Sequence, residues 1–169
     1  QGLTWLIKTL IETEQWDRAE EFLDLAEANL KKYPEESLGE YYATVADFNI
    51  KRDQDYEKAI ENLEKAVELT KKNDGKVRYQ FILAQLYQEK KNFLLATEAY
   101  GNVLKLNPDY TMRFNARISR AIAFDVKGSD TKAIKKELNK MLKDIKNEEF
   151  KNQIYFALAE LALKEDDEP

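Results

Sequence analysis

Apolar residues along this chain return every three or four positions and almost nowhere every two. Tyr56, Ala59 and Ile60 open one such face, and Leu63, Ala66, Val67 and Leu69 extend it. Leu83, Leu86 and Tyr87 do the same one segment later. This spacing follows the period of an α-helix, which stacks residues three and four apart on one side. A strand would need alternation bounded by turn residues, and no segment supplies it convincingly. The pattern predicts about nine helices, over 3–13, 16–32, 36–52, 56–72, 76–90, 93–106, 109–127, 130–146 and 149–165. The breaks are short and polar: "TEQ", "YPEE", "RDQD", "KNDG", "KKN", "NPD", "KGSD" and "KNE". Prolines stand only at 34, 108 and 169, where segments change or end. Asp130 is placed to accept from free amides at the start of helix 130–146, and Gly128 suits a left-handed finish to helix 109–127.

Short links force neighbouring helices to pack antiparallel, so the next question is whether the hairpins repeat. Ala96, Tyr100, Val103 and Pro108 mark the second helix of one hairpin, and Leu83-Ala84 and Tyr87 mark its first. Ala59, Leu63 and Ala66 stand 37 residues before Ala96, Tyr100 and Val103, with Ala46 and Ile50 placed like Leu83 and Tyr87. Ala19, Leu23 and Ala26 lie 40 residues earlier again, behind Leu6, Ile7 and Leu10. Downstream, Ala133 follows Ala96 by 37, with Ala121 and Phe124 on its partner helix, but Glu137 and Lys140 occupy positions where apolar residues are expected. Leu158-Ala159 and Ala162 open a fifth unit. Ala84, Ala96 and Ala121 fall where paired helices must approach to roughly 8–10 Å, which a large side chain would prevent.

Large residue, large-small and aromatic on one helix, then alanine, aromatic, alanine and proline on the next, resembles the tetratricopeptide repeat. That repeat is a helix hairpin of about 34 residues. Only the polar Gln80 misses its place. The resemblance implies an all-α, right-handed α-solenoid of antiparallel hairpins. It divides 1–169 into one array of about four and a half repeats, at roughly 2–35, 40–73, 77–110, 114–147 and a partial 152–169. The chain begins inside a helix and stops where a fifth hairpin would need its second helix. It therefore reads as a piece of a longer protein, and the uncovered last helix offers a route to self-association.

Composition narrows the chemistry. Charged residues make up 35% of the chain, which suits an elongated molecule with much wet surface. Lys+Arg number 27 against 32 Asp+Glu, and a net charge of -5 repels a phosphate backbone. The lysine pairs at 31–32, 71–72, 90–91 and 135–136 are scattered among acids and form no nucleic-acid stripe. There is no cysteine and no histidine, so thiolate chemistry, disulfides and the commonest zinc ligand and general base are absent. Glu20-Glu21, Glu35-Glu36 and Asp166-Asp167-Glu168 are neighbours on helices and point apart, as solvated surface does. "DQDYEKAIENLEKA" lacks the glycine and terminal glutamate of a calcium loop. No catalytic residue, cofactor or metal is implied, and no run approaches the 18 apolar residues of a membrane span.

In the resembled family a groove is lined by the first helix of each hairpin. Projected in that register, its candidate residues are Tyr41, Thr44, Phe48, Arg78, Phe81, Gln85, Asn115, Ile118 and Ile122, with Thr4 and Lys8 continuing the line. Aromatic surface flanked by polar groups suits an extended peptide or a helix. Tyr41, Phe48 and Phe81 have a second reading, as packing between neighbouring hairpins. Some members of the family clamp a terminal carboxylate with basic residues. The matching positions here are Thr4, Lys8, Phe48, Phe81, Gln85, Ile118 and Ile122, of which Lys8 alone is basic, so that clamp is not expected. Arg113, Arg117 and Arg120 share one side of helix 109–127. They read either as a dock for an acidic partner or as stems over apolar surface with heads paired to nearby carboxylates.

"MRFNARISRA" and "EEFKNQIYFALAELALKEDDEP" carry a narrower resemblance. They are similar to the repeat lipoprotein of Bacteroidetes gliding motility and type IX secretion (the SprE/PorW type). That resemblance implies a parent protein tethered by lipid to the outer membrane on its periplasmic side, acting as an adaptor between secretion components. The functional expectation is a scaffold that binds other proteins. The alternative is a substrate-positioning or regulatory repeat module of a larger enzyme.

Overall fold

A computed structural model of the protein describes residues 2–71, 73–124 and 131–166. Among them are nine α-helices and no strand. They are α1 (Gly2–Glu12), α2 (Trp16–Ala28), α3 (Glu35–Phe48), α4 (Tyr56–Leu69), α5 (Asn73–Glu89), α6 (Phe93–Lys105), α7 (Tyr110–Ala123), α8 (Lys132–Leu142) and α9 (Lys151–Asp166). Short 3-10 segments occupy Leu30–Lys32 and Ile145–Phe150, and a π turn occupies Asn49–Asp53. The chain is all-α and fits an α-solenoid of helical hairpins. The expected caps Gly128 and Asp130 lie outside the described residues.

The hairpin turns share one chemistry. Asp55, Asn92 and Asp109 each accept a hydrogen bond from the amide three residues on, closing the starts of α4, α6 and α7. Such caps contribute about 1 kcal/mol each. Glu14, Gln54 and Lys91 adopt left-handed backbone, with φ of 55, 52 and 58. Each stands five residues before a fully buried alanine: Ala19, Ala59 and Ala96. The amide after each left-handed residue reaches back to the preceding helix. Gln15 donates to the Leu10 carbonyl at 2.9 Å and Asn92 to Tyr87 at 2.8 Å, but Asp55 must reach back one residue further, to Asn49 at 3.1 Å. The π turn absorbs that extra residue. It turns α3 by one helical position, about 100°, relative to a simple repeat count.

The chain divides into two compact units, Gln1–Leu86 and Tyr87–Pro169, with the boundary inside α5. In the first, Ile7, Leu10 and Ile11 of α1 pack with Ala19, Leu23 and Ala26 of α2 and with Tyr41 and Phe48 of α3. Helices α3 and α4 approach closely at Gly39, where a Cβ would come within 3.2 Å of the Ala66 carbonyl and meet the Thr70 hydroxyl. In the second unit the core is Phe114, Ile118 and Ala121 of α7, Ile134, Leu138 and Met141 of α8, and Ile154, Ala157 and Leu161 of α9.

That second core corrects the repeat register on α8. Ala133 is exposed, whereas Ala19, Ala59 and Ala96 are fully buried. The buried set is Ile134, Leu138 and Met141, one residue later, with the same four-then-three spacing as Ala96, Tyr100 and Val103. The apolar pattern expected of a fourth copy is therefore present on α8, one residue later than the count from Ala96 gives. Glu137 and Lys140 stand one helical position outside the packed face.

Candidate functional site

The first unit holds a cleft of about 570 Å³ between α1, α3 and α5, which are the opening helices of successive hairpins. Its floor is small and apolar, with Ala43, Ala46, Leu63 and Ile82. Its rim is charged. Lys8 of α1 pairs with Glu40 of α3 at 2.6 Å. Lys51, in the π turn, bridges Glu12 of α1 at 2.5 Å and Asp47 of α3 at 3.1 Å. The hydrogen bond and charge of Lys51 hold the Glu12 carboxyl below the usual carboxylate range. Arg78 and Asp74 of α5, both exposed, also line the cleft. The walls thus carry both signs around an apolar floor.

The residues projected onto this face from the sequence divide. Thr44 lines the cleft, fully buried, with its hydroxyl donating to the Glu40 carbonyl. Arg78 lines it as projected. Tyr41 and Phe48 do not; both belong to the core of the first unit. Tyr41 stacks edge-on between Tyr33 and Tyr42, and Phe48 sits against Trp16 and beneath the Arg52 guanidinium. Of their two readings, internal packing describes them. The cause is the extra residue in the π turn. The positions on α3 that match Arg78, Phe81 and Gln85 are Glu40, Ala43 and Asp47, one earlier than a count of 37 gives. Asp47 and Lys51 are a four-apart acid–base pair visible in the sequence, but nothing there showed which way α3 faced.

Phe81 is half-buried and Gln85 exposed. In the second unit, Asn115 is exposed and Ile118 is buried. Ile118 and Ile122 form one side of a shallow groove of about 490 Å³, whose other side is Asn152, Gln153 and Phe156 of α9. Phe156, 56% exposed, was not among the residues projected. Thr4 is buried in α1, and Lys8 reaches the cleft.

Of the three arginines of α7, Arg117 and Arg120 pair with a carboxylate and Arg113 does not. Arg120 donates to one oxygen of Glu137 on α8, and Arg117 Nε lies 2.9 Å from the other as an ion pair rather than a hydrogen bond. Arg113 donates to the Asn107 side chain and the Pro108 carbonyl, tying α7 to the turn before it. Arg113 and Arg117 also line a pocket of about 240 Å³ with Tyr110, Met141 and Asn147. No group of acids able to hold a metal occurs among the described residues.

Two successive hairpins carry a known signature. Residues 39–73 and 77–110 match the tetratricopeptide repeat. The chain carries two tetratricopeptide repeats. The first match is 35 residues long and the second 34, the difference that the π turn accommodates. Tetratricopeptide repeats mediate protein–protein interactions and are typically not catalytic. Their opening helices here, α3 and α5, supply two walls of the cleft. A search of curated proteins returned no match.

Proposed function

We propose that this chain is an interaction scaffold that holds a segment of a partner protein in the cleft between α1, α3 and α5. The observation that carries the reading is the combination of an apolar floor with a rim of both charges, on the helices that open the repeats. An apolar floor accepts side chains of the partner, and rim charges select and orient it. The same reading places the parent protein in the periplasm, at the outer membrane, as an adaptor between components of a type IX secretion complex. Its support is the sequence resemblance of the segments around Met112 and after Glu148.

The test begins with affinity capture from the source organism, followed by binding measurements with the purified partner. Lys8→Glu combined with Arg78→Glu should weaken that binding by about tenfold or more. The control, Lys105→Glu with Lys143→Glu, alters exposed lysines that do not line the cleft and should leave it unchanged. Equal loss in both variants, or none in the first, would refute the cleft. Recovery of partners with no link to secretion would refute the narrower assignment alone.

A further inference from the structure

The pocket at the start of α7 and the end of α8 lies wholly inside the second unit and shares no residue with the cleft. Its apolar lining is Phe114 and Met141, both buried in the core of that unit. Asn147 lines it too and is only 3% exposed. The Asn147 amide donates to the Met141 carbonyl at 2.8 Å, and the Tyr110 hydroxyl donates to the Asn147 side-chain oxygen. These bonds tie α7 to α8 through the 3-10 segment and hold the walls in place. The volume, about 240 Å³, is below the roughly 300–1,000 Å³ of sites for drug-sized ligands. It suits a group the size of one side chain.

The charged lining is Arg113, Arg117 and Lys140 against Glu137 and Asp144. The acids are engaged. Glu137 meets Arg117 with one oxygen and accepts from Arg120 with the other, and Asp144 accepts from the Lys146 amide. The cations keep donors to spare. A guanidinium has five N–H groups, and Arg117 meets Glu137 at Nε; among the described residues neither of its Nη atoms donates a hydrogen bond to the protein. Arg113 is anchored through one Nη, which donates to Asn107 and Pro108, leaving Nε and the other Nη. The Lys140 ammonium is exposed and has no partner among the described residues. Spare donors beside buried apolar surface fit an acceptor on an apolar stem. A carboxylate matches the edge of a guanidinium with two parallel bonds. It brings one negative charge, the excess of cations over acids in the lining. A phosphate brings nearly two at neutral pH and would be repelled by Glu137 and Asp144. We infer that this pocket binds a carboxylate on a short apolar stem, with Arg117 and Lys140 on its oxygens and Phe114 and Met141 against the stem. Neither cation stands at a position matching the family's terminal-carboxylate clamp. A free organic acid and an acidic side chain of a polypeptide share this chemistry. The inference is independent of the cleft in the first unit.

Met112 and Met141 are the two methionines of the chain, and of these Met141 lines the pocket. Methyl NMR of the methionine-labelled protein therefore gives one signal inside the site and one outside it. Hexanoate and hydrocinnamate should move the Met141 signal along a saturable curve and leave Met112 still. Hexanol should not, and inorganic phosphate should bind about tenfold more weakly or less. Arg117→Gln should weaken hexanoate by about tenfold or more. Because Arg117 also meets Glu137, a second variant, Lys140→Glu, changes an exposed side chain and should weaken it by about fivefold or more at unchanged helicity. Lys143→Glu, exposed and outside the pocket, should alter it by no more than about twofold. A pentapeptide with blocked ends and one central glutamate separates the sources. Tighter binding than hexanoate assigns an acidic residue of a polypeptide, and weaker binding assigns a free acid. No saturable movement of Met141 with any of these carboxylates overturns the inference. So does hexanol acting as well as hexanoate, phosphate binding more tightly than hexanoate, or equal losses in Lys140→Glu and Lys143→Glu.

Discussion

Tyr41 shows how burial turns one side chain into a determinant of stability. Desolvation in the core of the first unit, then the negative charge of Glu27, raises its phenol from the usual 10 to about 12. The folded state therefore keeps the proton at alkaline pH where the unfolded chain releases it. Stability contributed this way is complete below pH 10 and falls as pH rises from 10 towards 12. The displacement amounts to roughly 2–3 kcal/mol at the far end. Burial raises Tyr79 and Tyr100 in the same direction, so the alkaline loss is shared. Denaturant titrations from pH 9 to 11.5 should show a steep decline for the unchanged chain and a shallower one for Tyr41→Phe. Parallel curves would place Tyr41 outside the core. The buried alanines act at the same scale by opposite means. Ala59 and Ala96 are fully covered because they are small enough to let backbones meet.

At the scale of elements, one residue of chain length decides what a helix shows to its surroundings. The extra residue absorbed by the π turn moves Glu40, Ala43 and Asp47 of α3 to the positions that match Arg78, Phe81 and Gln85 of α5. It leaves Tyr41 and Phe48 in the core. Helix α8 makes the same point with a sharper test. Its packed face is Ile134, Leu138 and Met141, and Ala133 is exposed. Ile134→Ala should cost about 2–5 kcal/mol, the usual penalty for emptying a buried aliphatic site. Ala133→Glu should change stability by no more than about 0.5 kcal/mol. The reverse ranking in urea denaturation would restore the register that a count from Ala96 suggests. These outcomes also show why the turns were harder to read than the helices. Apolar spacing of three and four is a local property of sequence. The length of a turn has no signature beyond the residues it happens to contain, and a π turn and a regular one look alike.

For the whole molecule, the division at Leu86 and Tyr87 has a spectroscopic consequence. Both tryptophans, Trp5 and Trp16, belong to the first unit. Their fluorescence reports that unit, while far-ultraviolet circular dichroism reports helices in both. In repeat proteins stability is approximately a sum of units and of contacts between nearest neighbours, so damage is felt first where it is made. Ile134→Ala should therefore shift the circular-dichroism transition to lower urea and leave the tryptophan transition later. Coincident curves in the variant would show that the units unfold as one. No described helix is long and apolar enough to cross a membrane.

The sequence by itself determined that the chain is helical, that its helices pair in hairpins, and that small residues recur where backbones meet. Each of these follows from periodicity and side-chain size, which are written residue by residue. Only the tertiary structure decided which side of α3 lines the cleft, which residues of α8 are packed, and that Arg117 and Arg120 of α7 are engaged by Glu137. Those outcomes depend on rotation about a helix axis. A single residue in a turn shifts that rotation by about 100°, and the energy that settles it comes from contacts between segments far apart in the chain.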